Sequence, residues 1–112
     1  MPKAAPPTAT DLADLTLLTN AVKQAGKIAL RYYGDAKLKQ WDKSENHPVT
    51  DADLAVNAHL QTTLMAARED YGWLSEETID DASRLRAKRT FVVDPIDGTR
   101  AFIDGRPSFT IC

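Results

Sequence analysis

A chain of 112 residues makes at most one domain, and 43% hydrophobic with 27% charged residues is the composition of an ordinary folded protein. A net charge of −2 with both signs interspersed argues against a nucleic-acid polymer as partner, and no apolar run approaches a membrane span. The N-terminus reads without the charged-then-apolar layout of a secretion signal, and the single cysteine, Cys112, leaves no internal disulfide framework, so a reducing cytoplasm is the expected setting.

The opening "MPKAAPPTAT" is rich in Pro, Ala and Thr and reads, with Asp11, as a disordered lead-in over residues 1–11. From an N-cap at Asp11, residues Leu12, Leu15, Leu18, Val22, Ala25, Ala29 and Tyr32 recur at spacings of three and four, which predicts an amphipathic helix stopped by Gly34. The stretch "AKLKQWDKSENHPVT" is turn-rich, with a short strand expected around Leu38 to Trp41, and His47-Pro48 precludes a helix across that point. Thr50 is expected to cap a second helix from Asp51 to about Ala67. "YGWLSEET" suggests a strand emerging into a site, and "IDDASRLRAKR" a polar connection with a helical turn and a solvated basic cluster. "TFVVD" is the clearest strand, "GTRAFI" opens a short helix, and "SFTIC" reads as another strand. Alternating helices and short strands imply a layered α/β or α+β fold.

Five acids call for an explanation: Asp53, Glu76, Glu77, Asp94 and Asp97. Asp53 shares the most apolar stripe of the second helix with Val56, Asn57, Leu60, Leu64 and Ala67, so it should face inward. It could serve the helix dipole or a site, although Asp51 suits the dipole role better. Glu76 and Glu77, if extended, point to opposite faces, so one can enter a site while the other does not. Asp94 closes a buried-looking strand, Pro95 encourages an abrupt turn, and Asp97 follows. Asp94, the Ile96 carbonyl and Asp97 can then present oxygens to one point, which suits Mg²⁺ or Mn²⁺ rather than zinc. Gly98 and Thr99 would begin a helix with amides aimed outward at a phosphate, although an Asx-type turn would use the same residues. Phosphatases that form an aspartyl-phosphate carry Asp-x-Asp-Gly-Thr, whereas here the spacing is Asp-x-x-Asp, so a covalent mechanism is disfavoured. His47 and His59 read as surface residues, Trp41 and Trp73 as packing residues, and Arg100 or Arg106 could reach an anionic substrate.

The elements "PVTDAD", "WLSEET" and "DPIDGTRAFIDGRPSF", in this order and at these separations, resemble the inositol monophosphatase superfamily of Mg²⁺-dependent, lithium-sensitive phosphatases. The resemblance implies an α+β fold, the N-terminal part of a layered αβαβα sugar-phosphatase-like architecture with helices packed on a mainly antiparallel sheet. It covers residues 12–112 and implies only the N-terminal part of a longer family domain, without the later Trp-Asp-x-Ala-Ala-Gly element that supplies another metal ligand. It assigns Glu76, Asp94, the Ile96 carbonyl and Asp97 to metal binding, with two or three Mg²⁺ ions. Asp53, Thr99 and Glu76 become the catalytic set around a metal-activated water, and the Gly98 and Thr99 amides meet the substrate phosphate. Ser75 departs from the glycine that often precedes the two glutamates.

The implied activity is hydrolysis of a small phosphorylated metabolite: an inositol monophosphate, histidinol phosphate or a 3′-phosphoadenosine phosphate. "DGTRAFIDGRP" leans toward the histidinol-phosphatase or bisphosphate-nucleotidase branches. A homodimer is implied for the full-length protein, with no membrane partner. The alternative is a non-catalytic metal-binding or regulatory protein made from a truncated phosphatase domain.

Overall fold

The computed structural model describes residues 6–33, 40–42, 48–78, 80, 82–97, 99–103 and 111–112. Helix α1 (Ala9–Tyr32) begins inside the expected lead-in, because its N-cap is Thr8 and not Asp11. Thr8 Oγ1 accepts the Asp11 amide at 3.1 Å, and Asp11 Oδ2 accepts the Thr8 amide at 2.9 Å. This reciprocal pair satisfies two orphan donors where a single cap would satisfy one. Gly34, expected as the stop, lies outside the described residues.

Helix α2 (Asp51–Ala67) has the expected bounds and the expected cap at Thr50. Its buried residues Ala52, Val56, Leu60 and Leu64 meet Ala21, Ala25 and Ala29 of α1 in one core. Alanine on the facing stripe lets the two helices pack closely while α2 supplies the bulk. Ala67 ends up exposed, and His59 is half-buried, its Nε2 without a partner among the described residues, so neither follows its expected placement.

The N-terminal turns of α1 also differ from expectation. Leu12 and Leu15 are 54% and 60% exposed, and the buried residue is Asp14. Seven residues at 100° each bring Asp14 to within roughly 20° of Ala21, so the apolar face runs through it. The Asp14 carboxylate accepts from Arg68 Nε at 2.9 Å and from Tyr71 Oη at 2.8 Å, with Arg89 Nη1 at 3.4 Å. Those partners make its burial tolerable.

Strands β1 (Gln40–Asp42) and β2 (Pro48–Thr50) pair antiparallel, with Trp41 opposite Val49. Strands β3 (Gly72–Ser75) and β4 (Thr90–Val93) pair parallel, with Trp73 opposite Phe91 and Ser75 opposite Val93. Parallel neighbours need a long crossover. Here it carries a 3₁₀ turn (Ser83–Arg86), entered through Ala82 in the left-handed region (φ 63°) and braced by Asp80 to Arg84.

The architecture is thus mixed helix and strand, with one parallel pair and one antiparallel pair of strands among the described residues. Beyond β4, the Asp94 amide donates to the Cys112 carbonyl at 2.6 Å, and the Cys112 amide returns a bond at 3.0 Å. The rest of the expected "SFTIC" strand lies outside the described residues. Helix α3 (Thr99–Ile103) follows the turn after β4 and buries Phe102 completely, its ring 5.7 Å from that of Tyr33. No described helix is long and apolar enough to cross a membrane.

Candidate active site

The C-terminal ends of β3 and β4, the first turn of α2 and the start of α3 converge. Parallel register aligns Ser75 with Val93, so Glu76 and Asp94 leave the sheet side by side. Beyond Ser75 the chain turns at once, with the Thr78 amide donating to the Ser75 carbonyl at 3.3 Å. Glu76 and Glu77 therefore occupy the two central positions of a turn, not the extended strand expected of them. Glu76 is exposed and Glu77 half-buried.

Asp53 is 2% exposed, facing inward as the stripe predicts. Its two oxygens do different things. Oδ2 completes the α2 capping box, accepting the Thr50 amide at 2.9 Å and the Thr50 hydroxyl at 2.6 Å. Oδ1 accepts the Thr99 hydroxyl at 3.0 Å, across 46 residues of sequence. Asp53 thus completes the cap and also reaches the site, while Asp51 lies in the first turn as the dipole role requires. Thr99 Oγ1 lies 3.1 Å from the Ile96 carbonyl as well. A hydroxyl has one proton, so it can serve only one of these acceptors fully at a time.

Asp94 is the most perturbed group. Its Oδ1 is buried with no hydrogen-bond partner among the described residues. Burial, followed by the charges of Glu76, Asp97, Asp53 and Glu77, pushes its carboxyl up to about 6. A desolvated carboxylate among like charges gains most from a cation. With the Ile96 carbonyl the ligand chemistry is all oxygen, which fits Mg²⁺ or Mn²⁺. Among the described residues no three acidic, histidine or cysteine side chains are already close enough to form a ligand cluster. Glu76 and Asp97, both exposed, can reorient toward an ion without disturbing the core. Ile96 is buried at 2% exposure, and Gly98 lies outside the described residues, as do His47, Arg106 and the side chains of Trp41 and Arg100.

Three polar residues beside the acids were not assigned a role from the sequence. Asn57, one turn after Asp53, accepts from Ser75 Oγ at 2.5 Å and donates to Thr78 Oγ1 at 2.9 Å. Trp73 Nε1 donates to the same Thr78 oxygen at 3.1 Å. The signal was an asparagine on an otherwise apolar stripe, since a buried amide needs partners.

The sequence matches the model of the inositol monophosphatase family over residues 11–112. It is 35% identical over 98 residues to a histidinol-phosphatase of Chlorobaculum parvum, covering 88% of this chain and 37% of that protein. It is 36% identical over 98 residues to an inositol-1-monophosphatase of Rhizobium meliloti, covering 87% and 36%. Among solved structures, the extragenic suppressor protein suhB of Bartonella henselae superposes with a TM-score of 0.79 at 30% identity, over 88% of this chain and 38% of that one. The chain therefore spans little more than a third of the relatives it matches. Shared motifs, shared fold and identity over nearly its whole length lead to one conclusion: this chain belongs to the inositol monophosphatase family.

Proposed function

We propose that the protein, with its family domain complete, is a Mg²⁺-dependent phosphomonoesterase in which water attacks phosphorus directly. The observation that carries this is the Asp94 carboxylate, with an orphaned buried oxygen and raised by burial and four neighbouring acids. Glu76, Asp94, the Ile96 carbonyl and Asp97 would hold two or three Mg²⁺ ions. Such ions supply a Lewis acid for the phosphoryl oxygens and make water acidic enough to attack.

The chain's own residues then orient the reactants. Thr99 donates its single proton to Asp53 Oδ1, leaving oxygen lone pairs to accept a hydrogen bond from the attacking water and so orient it. Asp53 is held from behind by Thr50, so the direction of that hydroxyl is set before substrate arrives. The Gly98 and Thr99 amides would receive the phosphate. The substrate is a small phosphate ester: histidinol phosphate, an inositol monophosphate or a 3′-phosphoadenosine phosphate. The full architecture would be the layered αβαβα fold with a mainly antiparallel sheet, in a cytoplasmic, lithium-sensitive homodimer.

The test is phosphate release by the complete protein. Activity should vanish in excess chelator, return with Mg²⁺, and fall by about 100-fold or more in Asp94→Asn. A chiral phosphate ester should be hydrolysed with inversion, since one in-line displacement inverts and two retain. Activity in chelator, or an Asp94→Asn protein near wild type, would overturn the reading. The rival is a non-catalytic metal-binding or regulatory protein, which would use the same oxygen ligands without hydrolysing an ester. It would show as Mg²⁺ binding without turnover on any of these esters.

A further inference from the structure

We propose that Ser75, Asn57 and Thr78 form a lock that positions Glu76 for metal binding, an inference that rests on the reading of the site just given. Ser75 and Asn57 are 5% and 7% exposed, and their side chains meet at 2.5 Å. Asn57 then donates to Thr78 Oγ1, while the Glu77 amide donates to Ser75 Oγ at 3.3 Å. The lock therefore ties both ends of the turn that contains Glu76 to a single side chain of α2.

Filling the space would not require polar groups, since an apolar set of the same shape packs as well. Hydrogen bonds add direction, and here they set the path of the backbone on either side of Glu76. Asn57 lies one helical turn beyond Asp53 on the same inward stripe. One rigid element thus holds Asp53 directly and Glu76 through the lock, fixing the water-orienting pair relative to a metal ligand. A glycine at position 75 would have no hydroxyl for Asn57. Trp73 caps it from the strand side through Thr78, whose oxygen accepts two bonds and keeps its own proton to donate.

Groups that orient metal ligands typically change metal affinity about 10–100-fold when removed. The experiment is Mn²⁺ binding to the complete protein without substrate, followed by electron paramagnetic resonance. Ser75→Ala and Asn57→Ala should each weaken Mn²⁺ binding about tenfold, and the double variant should be no weaker than either single one. Thr78→Val should weaken it likewise, whereas Thr78→Ser, which keeps the hydroxyl, should bind as wild type does. Leu64→Ala, in the core away from the acids, should lower the melting temperature and leave Mn²⁺ affinity unchanged. If wild type binds Mn²⁺ and Ser75→Ala and Thr78→Val bind it equally well, the lock is structural only and this inference falls. A wild type that binds no Mn²⁺ would overturn the proposed function, and this inference with it.

Discussion

Asp53 shows how one carboxylate serves two masters at atomic scale, with Oδ2 capping α2 and Oδ1 reaching Thr99. The two tasks separate by mutation. Thr99→Val removes the hydroxyl and leaves the capping box intact, so kcat should fall about 100-fold with KM little changed and the melting curve nearly so. Asp53→Asn should lose turnover and also stability, because an amide cannot accept from both Thr50 and Thr99 without turning its own N–H₂ toward a donor. Equal melting losses in the two variants would refute this division of labour. Gly72 is constrained differently. A Cβ there would lie 2.6 Å from Thr90 Oγ1, 2.7 Å from Arg84 Cβ and 2.8 Å from the Arg84 Cα. Because a backbone atom is among them, no side-chain rotation relieves the clash. Gly72→Ala should cost about 1–3 kcal/mol by denaturant melts, by shifting the crossover that feeds β4.

Elements are joined by a second polar cluster at the far end of β4 from the acids. Asp14 of α1 receives Arg68 beyond α2 and Tyr71 before β3, while Arg89, next to β4, pairs with Asp11 at 2.5 Å and approaches Asp14 at 3.4 Å. Burial acts most strongly on Asp14 and pushes its carboxyl up. The bonds from Tyr71 and Arg68 and the charges of Arg68 and Arg89 together outweigh it, so the group sits below the ordinary carboxylate range. Asp11 is lowered as well, by the Thr8 amide first and then Arg89. A folded carboxyl below its unfolded value stabilises the native state at pH above the unfolded value, and that contribution is lost as pH falls through the folded one. Denaturant midpoints should therefore decline on the acid side, below about pH 4, and the decline should be shallower in Asp14→Asn. An identical acid profile for wild type and Asp14→Asn would show that this polar cluster carries no linkage.

At the scale of the whole molecule, the core is continuous but leaves large apolar groups outside. Val92 is 70% exposed, Leu30 64%, Leu15 60% and Leu12 54%. Val92 projects from the face of β4 opposite Phe91 and Val93, where the 3₁₀ turn covers Gly72 but leaves Val92 bare among the described residues. The 112 residues expressed alone should self-associate in sedimentation, bind Mg²⁺ poorly and release no phosphate, because exposed strand faces and edges recruit partners. A monomer that melts cooperatively and turns over substrate would show that fewer site residues suffice.

Most of the element order was legible in the linear chain, because caps, proline breaks and apolar periodicity are local. Thr50 announces α2 to the residue, and Asp94, Pro95 and Asp97 announce a turn rich in oxygen ligands. Local signals also misled where two readings share one residue type: Asp11 could be a cap or the third residue of a capping box, and only the Thr8 bonds decide. The burial of Asp14, the turn that takes Glu76 out of the strand and the raised carboxyl of Asp94 came from tertiary structure alone. Each depends on partners distant in sequence: Arg68 and Tyr71 for Asp14, Asn57 for the Glu76 turn, and acids from two other segments, Asp53 and Glu76–Glu77, for Asp94. Spacing along a chain records periodicity, whereas burial and the partner that offsets it exist only once the elements have packed.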